Sequence, residues 1–211
     1  MKNIHLIALS LALLALLCTA CVASNAAPDS ADALAVHSDA EHSFTMKFPA
    51  DFTVTTDPKQ LAQRSYFPLA DGTLRLGGYY SGKEYAGTNL HSASIVVSVV
   101  PAKEQENDCA RFEGDLFCGP DQEIRDATIS GVQFKYTTLS DAAAGQRVDT
   151  REYWRIHNGL RYEISLCLTY SDIGMYTPGE IKEFNQNECW ARLTGILNTF
   201  SFSSSTARSA S

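Results

Sequence analysis

Apolar positions in this chain mostly alternate with polar ones, the period of half-buried strands. Phe44, Met46 and Phe48 alternate as far as Pro49, and Phe52 and Val54 resume the pattern after a turn. Leu74 to Tyr80 is a further strand, weakened by Gly77-Gly78. Ser94 to Val100, carrying Ile95, Val96, Val97, Val99 and Val100, reads as a buried strand that Pro101 ends. Ile129 belongs to a short strand, Ser130-Gly131 turns the chain, and Val132, Phe134 and Tyr136 alternate. Ser140 to Gln146 reads as a loop. Val148 to Ile156 and Arg161 to Tyr170 form a hairpin across Asn158-Gly159, two residues that tolerate the positive φ of a type I′ turn. Phe200 and Phe202 alternate in a last short strand.

Two stretches read as helices instead. Asp57-Pro58 opens a short one that runs to Arg64. Asn185 and Glu188 are spaced as a cap and its reciprocal partner, and Cys189, Trp190, Leu193, Ile196 and Leu197 follow as one apolar stripe. Thr177-Pro178-Gly179-Glu180 offers an earlier start for the same helix. The pattern predicts an α+β fold, a central antiparallel sheet with a C-terminal helix packed on it.

The ends differ from this middle. Lys2 followed by the apolar stretch Ile4 to Leu17 and then small residues predicts a signal peptide over residues 1–20, too short to span a bilayer comfortably. Thr19-Ala20-Cys21 resembles a bacterial lipobox, with Cys18 where that motif prefers Leu. The expectation is a diacylglycerol on Cys21, which becomes the new N-terminus and holds the chain to a membrane. Ordinary cleavage further on, after Ala23 or Ala26, gives a secreted protein instead. The resemblance to lipoproteins of double-membraned bacteria, in which an Asp after the Cys signals inner-membrane retention, implies with Val22 there the outer membrane instead. Residues 21–40, rich in Ala, Ser and Asp, read as a lipidated disordered tether, and residues 204–211 as a disordered tail around a single domain, 41–203.

Composition narrows the partners. Seventeen basic residues against 24 acidic ones give a net charge of -7, and no basic run occurs, which argues against nucleic acid. Export consumes Cys18 and Cys21 and leaves Cys109, Cys118, Cys167 and Cys189. An even number in an oxidising compartment implies two disulfides, with three connectivities open. The expected one, closing the shortest loops, joins Cys109 to Cys118 on a charged surface excursion over Lys103 to Asp121, and Cys167 to Cys189 between strand and helix. The spacing lacks CxxC and any His pair, so neither a metal nor a cofactor is expected.

Candidate chemistry is sparse. There is no HExxH, no GxSxG elbow and no phosphate-binding glycine loop, so no catalytic residue is assigned. Asp149, Glu152 and Glu163 gather near the hairpin, with Asp149 and Glu163 placed to approach across it as an acid–base pair. The competing reading is a solvated face neutralised by Arg147, Arg151, Arg155 and Arg161. Thr88, Asn89 and Tyr85 are candidate ligand contacts, and Tyr79, Tyr80 and Tyr85 candidate groove aromatics, against a packing role for the tyrosines and a turn-satisfying role for Asn89.

The order of elements resembles the PsbP-like (Mog1p/PsbP) fold. The likeness rests on the opening Phe44-x-x-x-Phe48-Pro49 strand and the closing run from Ile196 to Phe202. Tyr85 to Leu90, Asp141 to Gly145, and Tyr153 to Glu163 around His157-Asn158-Gly159 are similar to stretches of bacterial envelope lipoproteins of that fold. The resemblance implies no activity. It implies a non-enzymatic binding or accessory role in the envelope, facing the periplasm, with an envelope protein as partner. The alternatives are an envelope hydrolase using the carboxylate pair, and an inhibitor of a secreted hydrolase presenting the Cys109–Cys118 loop.

Overall fold

The computed structural model describes residues 34–64, 74–80, 85–103, 110–112, 115–117 and 123–203. The expected leader, Cys21, most of the expected tether, Cys109, Cys118, almost all of the expected excursion's side chains and the expected tail from residue 204 lie outside the described residues. In chain order the strands are β1 (Leu34–Asp39), β2 (Phe44–Pro49), β3 (Phe52–Thr55), β4 (Leu74–Tyr80), β5 (Leu90–Pro101), β6 (Ala110–Phe112), β7 (Asp115–Phe117), β8 (Arg125–Ile129), β9 (Val132–Ala143), β10 (Gln146–His157), β11 (Leu160–Ser171) and β12 (Ser201–Phe202). Helix α1 is Pro58–Arg64 and α2 is Gln186–Leu197, with a short 3-10 turn at Ile173–Met175. Asp57 caps α1 by accepting Lys59 N–H at 2.9 Å, and Asn185 caps α2 by accepting Glu188 N–H at 3.2 Å. Among the described residues no helix is long and apolar enough to cross a membrane.

The strands pair antiparallel into a seven-stranded sheet, β3-β4-β5-β11-β10-β9-β8, a three-stranded sheet, β1-β2-β12, and the β6-β7 ribbon. Three two-residue turns build the long meander. Ser130-Gly131, Ala144-Gly145 and Asn158-Gly159 hold φ at 48° and 80°, 49° and 80°, and 51° and 75°. Positive φ at both positions gives the twist that matches adjacent strands. The expected loop from Ser140 to Gln146 is therefore a tight hairpin: β9 runs on to Ala143, and β10 begins at Gln146. Its outer β9 residues are exposed, so no apolar period marks them.

The folded part also begins earlier than the expected residue 41. Leu34–Asp39 is a strand paired with β2 from Leu34↔Pro49 to Asp39↔Phe44. Leu34 and Val36 stay exposed, at 47% and 60%, so backbone pairing holds this strand and the hydrophobic pattern does not betray it.

One core lies between the large sheet, the small sheet and α2. Phe44, Met46 and Phe48 meet Ile95, Val97, Ile164, Leu166 and Leu168 there, beneath Trp190, Leu193, Ile196 and Leu197. Gly77 and Gly78 are requirements of this packing. A Cβ at Gly78 would run into the Phe48 ring on one face of β4, and one at Gly77 into Leu61 of α1 on the other.

Candidate functional site

The register of β10 and β11 decides which carboxylates meet. Asp149 lies opposite Leu168, while Trp154 lies opposite Glu163, so the expected Asp149–Glu163 pair is not formed. Asp149 instead accepts hydrogen bonds from Ser140 Oγ at 2.7 Å, Tyr170 Oη at 2.8 Å and Gln186 Nε2 at 2.6 Å. It ties β9, β11 and α2 together. That contact and burial push the Tyr170 phenol up to about 12, burial being the larger cause.

Glu152 and Glu163 do share a face. Along β11, Tyr162, Ile164, Leu166 and Leu168 enter the core, so Arg161, Glu163, Ser165 and Cys167 fall on the opposite face. On β10 that face carries Val148, Thr150, Glu152 and Trp154. It is not solvated as the competing sequence reading expects: Glu152 is 7% exposed, Glu163 6% and Arg161 1%. Arg161 Nε donates to Glu163 Oε1 at 2.6 Å, and Ser98 Oγ to Oε2 at 3.1 Å. The Arg161 guanidinium also lies 5.3 Å from the Trp154 ring. Ser165 Oγ donates to Glu152 Oε2 at 2.6 Å. Burial pushes the Glu152 carboxyl up to about 8, and the Glu163 charge adds to the rise against the Ser165 bond and the Arg161 charge. Strand alternation in the sequence groups these residues; nothing in it reveals that the second face is covered.

Alternation also separates two cysteines. Cys167 packs beside Val148 on the second face, and Cys189 sits in the main core at the start of α2. The sheet lies between them, and the expected Cys167–Cys189 bridge is not made.

The candidate ligand contacts sit where β11 ends. Asn89, 2% exposed, donates from Nδ2 to Ser171 O at 2.8 Å and accepts Phe184 N–H at 2.9 Å. Its amide braces β11 against the segment leading to α2. Thr88 Oγ1 donates to Tyr85 O at 2.7 Å and accepts Leu90 N–H at 3.3 Å. Tyr85 meets Tyr80 edge to face with centroids 5.0 Å apart, and both line an open cleft of about 270 Å³ with Leu90 and His91. His91 Nε2 in turn lies 2.6 Å from Ser171 Oγ. Trp154 and Trp190 are buried, as their element patterns predict. Among the described residues no cluster of His, Cys, Asp or Glu could hold a metal.

No family model and no curated sequence matches the chain. Among solved structures, it is similar to the Ran-binding protein Mog1p of Saccharomyces cerevisiae, with a TM-score of 0.45 and 11% identity over 81% of this chain and 95% of that one. It is also similar to LpqN of Mycobacterium tuberculosis, involved in cell envelope biogenesis, with a TM-score of 0.39 and 12% identity over 81% and 90%. For the PsbP protein CyanoP of Synechocystis the TM-score is 0.41, at 9% identity over 80% and 92%. A Bacteroides thetaiotaomicron protein gives a TM-score of 0.40 and 10% identity over 76% of this chain, which spans 45% of that longer protein. The chain is thus similar, at low identity, to proteins of the Mog1p and PsbP kind.

Proposed function

We propose that this is an exported protein of PsbP-like fold, held by a lipid on Cys21, that works as a non-enzymatic binding or accessory component of the bacterial envelope. It faces the periplasm, with the outer membrane as its anchor surface. The observation that supports binding over catalysis is the condition of its acids. Glu163 is committed to Arg161 and Ser98, Asp149 to three donors, and Glu152 is buried under the sheet face. A general acid or base needs reach to a substrate proton. The Tyr80–Tyr85 cleft, by contrast, opens to solvent and offers aromatic surface for a partner.

Two measurements test this reading. Mass spectrometry of the protein from native membranes should show acyl mass on Cys21, and Cys21→Ser should release the chain from the membrane. Capture from envelope extracts should recover a partner that Tyr80→Ala and Tyr85→Ala lose. An unmodified Cys21, or substrate turnover with no partner recovered, overturns the corresponding half.

A further inference from the structure

An outer strand of a sheet has no strand beside one of its edges, and folded proteins blunt such edges with charge, with proline or by keeping them short. The described edges follow that rule with one exception. β12 has two residues and β3 four, and β8 carries Arg125 and Asp126 among its five. The ribbon strands β6 and β7 have three each. β1 is different. It is the outer strand of its sheet, six residues long, with neither Lys, Arg nor proline.

The side chains of β1 sort by face. His37 lies opposite Met46 and turns its ring onto Phe48, so Leu34, Val36 and Ser38 point outward. Leu34 is 47% exposed and Val36 60%, and Met175 is the remaining exposed large apolar side chain among the described residues. Asp39, the one acid of the strand, accepts His42 N–H at 2.9 Å and lies 3.0 Å from His42 Nδ1. Its carboxylate is thus held within its own hairpin. The edge offers a run of backbone donors and acceptors beside an uncharged, partly apolar outer face.

We infer that this edge docks β1 of a second copy, antiparallel, about a two-fold axis at Val36. In that register Val36 meets its own counterpart, Leu34 meets Ser38 of the second copy, and Ala35 meets His37 of the second copy. Leu34 and Val36 of both copies then form one apolar cluster on the outer face, and no like charges stand opposite each other. A slip by one residue would set the outer face of one strand against the inner face of the other. The self-complementary register favours a second copy as the occupant. So does the state of the incoming strand: β1 is already held extended by β2, so docking costs little of the ordering entropy that a flexible peptide loses. Pairing consumes both open edges at once and leaves the two-residue β12 at each end of the joined sheet, so assembly closes at two copies. One strand pair stays below the roughly 1,200 Å² of a stable interface, so the dimer is weak and forms at high protein concentration. The inference stands apart from the lipid on Cys21 and from the Tyr80–Tyr85 cleft.

Sedimentation equilibrium of the full chain in density-matched nonionic detergent tests the association, and cysteine cross-linking tests the register. The chain should pass from monomer to dimer between about 10 µM and about 1 mM. Val36→Lys sets two like charges opposite each other and should weaken the dimer at least about tenfold, with the unfolding midpoint at low concentration unchanged. Under copper–phenanthroline oxidation Val36→Cys should link to itself, because directly opposite residues lie about 4.5–5.5 Å apart at Cα, within disulfide reach. Leu34→Cys and Ser38→Cys should each fail to link alone and should link when mixed. The parent chain gives the background from its own cysteines. A monomer at every concentration overturns the inference, as does association that Val36→Lys leaves unchanged. Ser38→Cys linking to itself as readily as Val36→Cys overturns the register. A Val36→Cys link to another protein of an envelope extract, with no self-link, gives the edge to a different partner and overturns the second copy.

Discussion

Glu152 holds its proton at neutral pH because ionising it would leave a charge on a covered sheet face, near a second carboxylate. The consequence for stability has a definite sign. Below the ordinary value of 4.5 both folded and unfolded chains carry the proton. Between 4.5 and about 8 the unfolded chain has released it and the folded chain has not, so stability falls as pH rises through that window. Above about 8 both forms are ionised and the loss is complete. Glu152→Gln removes this dependence while keeping an oxygen that can accept the Ser165 hydrogen bond. Denaturant melts should show the variant within about 1 kcal/mol of the parent at pH 5 and more stable by a few kcal/mol, at most about 5, at pH 8.5. Equal pH profiles for the two proteins would sink the assignment. The alternation of β10 and β11 is legible in the sequence, so the shared face of Glu152, Arg161 and Glu163 can be read from it. Burial of that face cannot be, because period two marks which side a residue is on and says nothing about what lies above it. The same limit applies to Cys167 and Cys189, where loop length favours a bridge and the sheet forbids it.

At the scale of elements, turn chemistry was the clearest text. Asn158-Gly159 announces its hairpin and adopts the expected positive φ, and Ser130-Gly131, read as a turn, holds positive φ as well. Ala144-Gly145 does the same work without the signal. An Ala at φ 49° carries the steric cost of a Cβ in the left-handed region, which Asn and Gly reduce. The register of β9 and β10, from Gln146↔Ala143 to Trp154↔Lys135, imposes the conformation against that preference. Ala144→Asn should therefore stabilise the protein by about 1 kcal/mol, or roughly 2–4 °C for a chain of this length. Ala144 is exposed, so no packing term opposes the gain. Thermal unfolding followed by circular dichroism measures it, and a lower midpoint in the variant would show that the turn is not of this type. Gly77-Gly78 makes the opposite point. In the sequence the pair weakens β4, whereas in the fold it admits Leu61 and Phe48 from the two sides, a tertiary reason that no local propensity carries.

For the whole molecule, β1 moves the start of the folded domain from the expected residue 41 back to Leu34. This strand belongs to the fold through backbone pairing and through His37, whose ring meets Phe48 edge to face at 5.5 Å. Removing it would turn β2 into an open edge and uncover one side of Phe48, a core ring with no exposed surface. A chain beginning at Ala33 should therefore unfold at the same temperature as the full chain. One beginning at Glu41 should lose a few kcal/mol, since net backbone hydrogen bonds of about 1 kcal/mol each are offset by the entropy of ordering the strand. That corresponds to a midpoint lower by roughly 5–10 °C, and the bared β2 edge should also raise aggregation at high protein concentration. The exposed side chains of Leu34 and Val36 contribute little to this difference, so Leu34→Ser with Val36→Ser should leave the midpoint within about 2 °C of the parent. Equal stability of the two truncated chains would show that β1 adds nothing to the folded domain.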